Sequence, residues 1–139
     1  WHGLHVERLC LAVPRGHRLA TRTRIQLSDA GAEPFIELAP EFGLRQLTDE
    51  LCDEAGIEPQ VVFEAMEIPT MEGLVAAGFG VAIVPVPRPG RAEPGAGYVP
   101  LAQASAKRQL GLAWSAERPL PPAADRFSKF VIRRTHEDT

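Results

Sequence analysis

Residues 68–85 read I-P-T-M-E-G-L-V-A-A-G-F-G-V-A-I-V-P, and this segment predicts a helix joined to a strand by almost no loop. Pro69 suits a first helical turn, where its missing N–H has no helical partner to lose. Gly78 can take the positive φ of a residue just beyond a helix. The apolar, mostly β-branched run 81–84 is typical of a strand covered on both faces. Thr70 then lies beside N–H groups of the first turn that have no partner within the helix.

Strands and helices alternate along the rest of the chain. We predict strands at 8–13, 35–38, 61–64, 98–101 and 109–114, helices at 44–55 and 123–134, one helical turn within 25–30, an irregular loop at 86–97 and a frayed tail at 135–139. This order favours an α/β domain with a largely parallel sheet. Small ligands bind such sheets at the carboxyl ends of the strands. We therefore expect the loops 38–43 and 67–70 to share one edge and to form a small-molecule site.

Composition and charge exclude several classes of protein. The net charge of −3 and the scattered basic residues predict negligible affinity of this chain for duplex DNA. No segment approaches the length of a membrane span, and no charged-then-apolar leader marks export. Cys10 and Cys52 lie far apart in apolar surroundings, which predicts two buried free thiols of a cytoplasmic protein.

No catalytic pattern is present in the sequence. His2, His5, His17 and His136 do not have the spacing of a metal site. The G-F-G after a helix is in the wrong context for a nucleotide-binding loop, and no serine lies in a nucleophile-elbow sequence. We expect no enzyme activity, no catalytic or metal-binding residue and no cofactor.

Five motifs resemble one family in its order along the chain. L-V-A-A-G-F-G-V-A-I-V-P resembles the signature L-V-A-A-G-x-G-(V/I)-x-x-x-P of the effector-binding domain of LysR-type transcriptional regulators. The others are E-R-L-C-L-A-V-P-R-G-H-R-L-A, P-F-I-E-L-A-P-E-F-G-L-R, A-G-I-E-P-Q-V-V-F-E and L-G-L-A-W. Each is loose alone, but five in order cover essentially the whole chain.

The resemblance implies a periplasmic-binding-protein-like (type II) α/β fold, mainly its second Rossmann-like subdomain with remnants of the first. The implied parts are a remnant strand of subdomain I and crossover at 1–13, subdomain II at 14–108, and a returning crossover strand with the C-terminal helix of subdomain I at 109–139. Because the chain begins at Trp1 without a methionine, we expect a fragment truncated at the N-terminus. The helix-turn-helix DNA-binding domain and the first elements of subdomain I would precede it.

The function implied by the resemblance is effector sensing in a bacterial, cytoplasmic regulator. A small anionic molecule would bind in the cleft between the lobes and alter a dimer or tetramer arrangement that controls transcription. DNA would be contacted only through the absent N-terminal domain, and no membrane partner is expected. Two alternatives are a solute-binding protein of a transport system with the same general fold and a structural dimerisation fragment without a competent site.

The effector-binding residues implied by the resemblance are Pro40, Glu41, Phe42, Ile68, Thr70 and Met71. The Thr70 hydroxyl and its helix N-terminus would receive an effector carboxylate, and the alternative is an ordinary first-turn threonine. Phe42 either contacts an apolar ligand or fills the subdomain core.

Arg45 lies in the first turn of its helix, where a cation is electrostatically unfavourable. This position predicts an ion pair with Glu37, Glu41 or Asp49 in preference to an anionic effector. Cys52 falls where peroxide-sensing family members have their resolving cysteine, but Gly43 occupies the position of their reactive one. Without that thiolate no sulfenic acid forms, so we predict that Cys52 is a small core residue.

The truncation predicts self-association. Apolar residues of the subdomain I remnants would lose part of the core that they cover, namely Leu4, Val6, Leu110, Leu112, Phe127, Phe130 and Val131. Exposed apolar area of this kind tends to be buried by association. We expect a dimer or larger assembly in which the remnants pair across chains, or else disorder of residues 1–6 and the last helix.

Overall fold

The computed structural model describes residues 1–137. Its elements are β1 (His2–Pro14), a 3-10 turn (Leu27–Ala30), β2 (Pro34–Leu38), α1 (Gly43–Ala55), β3 (Gln60–Ala65), α2 (Ile68–Ala76), β4 (Ala82–Pro85), β5 (Ala96–Pro100), β6 (Lys107–Leu112) and α3 (Pro122–Glu137). The chain forms two compact units. Unit 1 holds Trp1–Glu7 together with residue 108 onward, and unit 2 is Arg8–Lys107.

The strands form two sheets of different character. In the first, β1 pairs antiparallel with both β4 and β5, and β6 also pairs with β1. In the second, β2 and β3 are parallel. The prediction of a largely parallel sheet is therefore wrong for β1 and its neighbours. A buried apolar run is expected of a parallel strand, but residues 9–13 of the antiparallel β1 and residues 82–84 of β4 are buried on both faces as well.

Several predicted boundaries also need correction. β1 starts at His2, because its first half is a strand without the buried apolar run that marked residues 8–13. β6 lies two residues earlier than predicted, and β5 takes in the end of the predicted loop 86–97. α3 continues through Glu137, so the predicted fraying is wrong for residues 135–137. Asp138 and Thr139 lie outside the described residues.

The core of unit 2 is built from β1, β2, β4 and the helices against them. Its largest fully buried side chains include Leu9, Leu11, Leu19, Ile25, Leu27, Phe35, Ile36, Leu51 and Met71. Burial of each such side chain stabilises the fold by roughly 1.5–3 kcal/mol before entropy is counted. This core holds the ends of β2 and β3 and the first residues of α1 and α2 in position.

The joint between α2 and β4 matches the sequence interpretation. Gly78 takes a φ of 88° directly after the helix. A Cβ on Gly80 would lie 2.6 Å from the carbonyl oxygen of Pro34, because Val81 pairs with β2. The N–H of Val81 donates to Pro34 O at 2.9 Å, and the N–H of Ile36 donates to Val81 O at 2.8 Å. The short connection therefore holds the end of α2 against β2.

The helix of unit 1 leaves large apolar side chains exposed. No side chain of α3 within Pro122–Glu137 is buried, and Phe127 and Phe130 are 62% and 54% exposed. Residues 2–6 and α3 both have regular secondary structure. The predicted alternative of disorder in these segments is therefore wrong for the described residues. Self-association stays a prediction.

Candidate functional site

The carboxyl ends of β2 and β3 meet at one edge of their sheet. Leu38 and Ala65 are register partners at the ends of the two parallel strands. The N–H of Ala39 donates to the carbonyl oxygen of Ala65 at 3.0 Å. The chain segments 39–42 and 66–67 therefore leave the sheet side by side, as the sequence predicted.

Each of these segments leads into a helix whose N-terminus lacks a side-chain cap. α1 follows the extended residue Phe42, and α2 follows the extended residue Glu67. Neither helix has an acidic residue in its first turn, and α2 has Pro69 there. The first N–H groups of a helix have no partner within it, and the helix dipole makes that end positive. The edge thus presents two helix N-termini with the chemistry that receives an anion.

The predicted effector residues divide into exposed and packed groups. Pro40, Glu41 and Thr70 are exposed. Phe42 and Ile68 are partly buried against the core of unit 2, and Met71 lies within that core. Phe42 packs against this core while remaining partly accessible, and a ligand would meet the exposed group first.

Arg45 is the centre of an ion-pair cluster beneath this edge. Its Nε lies 2.6 Å from Glu37 Oε2 and 3.1 Å from Asp49 Oδ1. Its Nη1 donates to the carbonyl oxygen of Leu38 at 2.9 Å and lies 3.2 Å from Glu64 Oε1. The predicted pairing with Glu37 and Asp49 is confirmed, whereas Glu64 was not foreseen. Arg45 is thus occupied by protein carboxylates and holds the last residue of β2.

Glu37 is the most buried charged residue of this cluster, with 3% of its surface exposed. Neither carboxylate oxygen has an aligned hydrogen bond among the described residues, so the contact with Arg45 is an ion pair only. Burial raises the pKa of Glu37, the charge of Arg45 lowers it, and Asp49 and Glu64 raise it further, with a net shift upward. One guanidinium therefore pairs with three carboxylates, of which that of Glu37 is the buried one.

A second polar cluster joins α2 to β5 and to the loop before β5. The hydroxyl of Tyr98 donates to Glu72 Oε2 in α2 and accepts the N–H of Glu93 at 2.9 Å. Burial, followed by the hydrogen bond with Glu72, raises the pKa of Tyr98 to about 12. Sequence reasoning missed this contact, because nothing local relates residues 26 positions apart.

Both cysteines are buried free thiols, as predicted. Burial raises the pKa of Cys10 and of Cys52 to about 12 in each case. Within residues 1–137 no group of three or more His, Cys, Asp or Glu side chains could hold a metal ion. None of the helices in the described part of the chain is both long and apolar enough to cross a membrane.

The sequence profile of the LysR substrate binding domain matches residues 2–135. The chain belongs to this family. This result confirms the resemblance and, with the structural neighbours below, the periplasmic-binding-protein-like type II fold class.

Two curated relatives show how the chain compares with other LysR-type regulators. The uncharacterized HTH-type transcriptional regulator YybE of Bacillus subtilis (strain 168) is 36% identical over 137 residues, which are 99% of this chain and 47% of YybE. The dual regulator OxyR of Escherichia coli (strain K12) is 30% identical over 131 residues, 92% of this chain and 43% of OxyR. The chain therefore spans about half the length of these relatives. Both relatives are transcriptional regulators.

Two solved structures show the same fold. The effector binding domain of QuiR in complex with shikimate superposes with a TM-score of 0.85 and 25% identity, covering 98% of this chain and 65% of that domain. The reduced form of OxyR gives a TM-score of 0.73 with 27% identity, covering 96% of this chain and 63% of the OxyR chain.

Proposed function

We propose that this chain is the effector-sensing domain of a LysR-type transcriptional regulator and that it binds a small anionic molecule. The observation that carries the proposal is the pair of uncapped helix N-termini at the shared edge of β2 and β3. The first-turn N–H groups and the positive ends of the two helix dipoles favour a carboxylate or a similar anion. The QuiR domain in complex with shikimate, a small carboxylate, supports an effector of this class.

Thr70 and the segment 40–42 have different roles in this proposal. The Thr70 hydroxyl and the first N–H groups of α2 bind the anionic group. Pro40 shapes the entrance, and the Glu41 carboxylate accepts a hydrogen bond from a hydroxyl of the effector. Phe42, Ile68 and Met71 hold the two segments in position from the core side.

Regulation follows from preferential binding to one arrangement of the protein. An effector shifts an equilibrium only by its difference in affinity for the two states. We propose that those states are dimer or tetramer arrangements of a cytoplasmic regulator, with DNA contacted through a segment outside this chain. The names of the relatives favour this role over an enzyme or a solute-binding protein.

A ligand titration tests the proposal. Shikimate and a panel of small aliphatic and aromatic carboxylates are titrated into the chain and into the protein at its natural full length. Replacement of Thr70 by Val removes one hydrogen bond to a charged group, worth about 1.5–3 kcal/mol, so the Kd should rise roughly 10- to 100-fold. Thr23→Val, at an exposed threonine outside the site, should leave the Kd unchanged.

Two results would contradict different parts of this proposal. An unchanged Kd for Thr70→Val would remove Thr70 from the site. Binding of neutral molecules alone, with every carboxylate inactive at natural full length, would overturn the anionic effector class.

A further inference from the structure

A small cleft lies in unit 2 at the C-terminal end of α1. It has a volume of about 270 Å³ and is bounded by α1, the 3-10 turn and the segment that follows β5. The lining residues are Gln26, Leu27, Ser28, Glu54, Ala55 and Gln103. α1 begins at the proposed effector site, and its 13 residues span about 20 Å. The cleft is therefore a separate place on the same unit.

The segment after β5 is joined to the last turns of α1 by two side-chain hydrogen bonds. Gln103 Nε2 donates to the carbonyl oxygen of Leu51 at 3.3 Å. The hydroxyl of Ser105 donates to Glu54 Oε2 at 2.7 Å. These bonds hold the Gln103 amide and the Glu54 carboxylate in place, and the bond from Ser105 leaves Glu54 Oε1 as an acceptor.

The amide oxygen of Gln103 is a buried acceptor without a donor. It has no hydrogen-bond partner among the described residues, while the amide nitrogen donates to Leu51. A buried polar atom in this state costs free energy, and such atoms are uncommon in native proteins. An N–H group bound in the cleft, which Gln103 lines, would supply the missing donor.

The electrostatic surroundings of the cleft favour a positive charge. The carbonyl end of a helix dipole is negative, and α1 has no basic residue in its last turn. Arg18 and Arg22 are occupied at the 3-10 turn, where both contact Asp29. Within residues 1–137, no basic side chain forms an ion pair with Glu54. The Glu54 carboxylate thus lines the cleft without a cationic partner in the described part of the chain.

We propose that this cleft binds a small organic cation through an ammonium or guanidinium group. Glu54 Oε1 and the amide oxygen of Gln103 accept its N–H groups, and the Ser28 hydroxyl is a further acceptor. The C-terminal end of α1 stabilises its charge. Clefts for drug-sized ligands measure about 300–1,000 Å³, so this one holds a smaller molecule. The ligand is opposite in charge to the effector proposed for the other end of α1.

A titration followed by NMR amide chemical shifts tests this site in the whole chain. The probes are n-butylammonium and methylguanidinium, each at constant ionic strength. Their neutral analogues, n-butanol and N-methylurea, keep the shape and lose the charge. Either cation should shift the signals of Ser28, Ala55 and the Gln103 side-chain amide, and the one with the lower Kd identifies the preferred group. The neutral analogues should leave these signals in place.

Two variants remove the proposed acceptors separately. Glu54→Gln keeps the shape and removes the charge of an exposed group, so the Kd of the cation should rise roughly 2- to 5-fold. Gln103→Met removes a hydrogen-bond acceptor, which should raise the Kd roughly 2- to 10-fold. Asp53→Asn is the matched control, because Asp53 is an exposed neighbour in α1 that does not line the cleft. Its Kd should equal that of the wild type. Melting temperatures establish that the variants remain folded.

Three outcomes would overturn the site. Neither cation might shift the signals of the cleft, or the neutral analogues might shift them equally. The third outcome is an equal loss of affinity in Asp53→Asn and Glu54→Gln, which would indicate a general attraction of cations to α1. None of these results bears on the anionic effector, which the Thr70→Val titration reads separately.

Discussion

The guanidinium of Arg45 lies 2.6 Å from Glu37, a residue with only 3% of its surface exposed. The pair ties the first turn of α1 to β2, and Arg45 also donates a hydrogen bond to the carbonyl oxygen of Leu38. The segment that opens the candidate site at residue 39 thus starts from a backbone position held by a charged side chain.

Replacement of Arg45 by Met should strongly destabilise the fold. Removal of one partner leaves Glu37 as an uncompensated buried carboxylate, a change that costs about 3–5 kcal/mol. Asp49→Asn is the matched control, because Asp49 is half exposed and a pair of that kind contributes about 0–1 kcal/mol. Urea denaturation measures both. An equal decrease in the free energy of unfolding in the two variants would show that the Arg45–Glu37 contact contributes no more than an exposed ion pair.

Glu37 should make the stability depend on pH. Its pKa is higher in the folded chain than in the unfolded one, so the folded state holds its proton at a pH where the unfolded state has released it. Its contribution is therefore fully present at low pH and falls as the pH rises from the unfolded value of 4.5 through the folded pKa. Glu37→Gln should lose this dependence, which urea unfolding at a series of pH values measures. Parallel pH profiles for the two proteins would contradict the assignment.

Both thiols should be unreactive in the native chain. Their pKa values of about 12 and their burial leave almost no accessible thiolate at neutral pH. We expect a thiol-reactive disulfide reagent to titrate neither cysteine quickly in the folded protein and both in urea. Peroxide treatment should form no disulfide between Cys10 and Cys52. Rapid native labelling of either residue would show that its local structure opens readily.

Gly73, within α2, and Gly80, in the joint between α2 and β4, should respond in opposite ways to alanine. A Cβ at Gly80 would lie 2.6 Å from Pro34 O, a backbone atom that cannot move without β2. We expect Gly80→Ala to destabilise the fold by about 1–3 kcal/mol through overpacking. A Cβ at Gly73 meets nothing within 4 Å, so Gly73→Ala should stabilise α2 by up to about 1 kcal/mol. Thermal denaturation compares them, and a stabilised Gly80→Ala would contradict the close approach to β2.

The sequence predicted features that depend on local chemistry. The φ of Gly78, the helix that starts with Pro69 in its first turn and the buried thiols all follow from single residues and their neighbours. The parallel or antiparallel sense of β1 depends instead on partners about 70 to 90 positions away, and a buried apolar run looks the same in both cases.

The candidate site shows the same limit. The expected position of ligands at the ends of parallel strands pointed to the shared edge, and the family resemblance pointed to Thr70 at that edge. The contacts of Glu64 with Arg45 and of Glu72 with Tyr98 join residues 19 and 26 positions apart. No spacing rule relates such residues before the chain is folded. Which of the predicted side chains remained exposed also depended on packing.

β2 leads into the proposed site and is hydrogen-bonded to a neighbouring segment on each of its edges. One side of this five-residue strand is bonded to β3, and the other to Val81, just beyond the end of α2. A ligand that draws residues 39–42 toward the start of α2 would therefore pull on β2, which is hydrogen-bonded on both of its edges. Small displacements at the site should therefore appear within unit 2 as a rotation of α1 and α2 about β2, with the pairing of the strands unchanged.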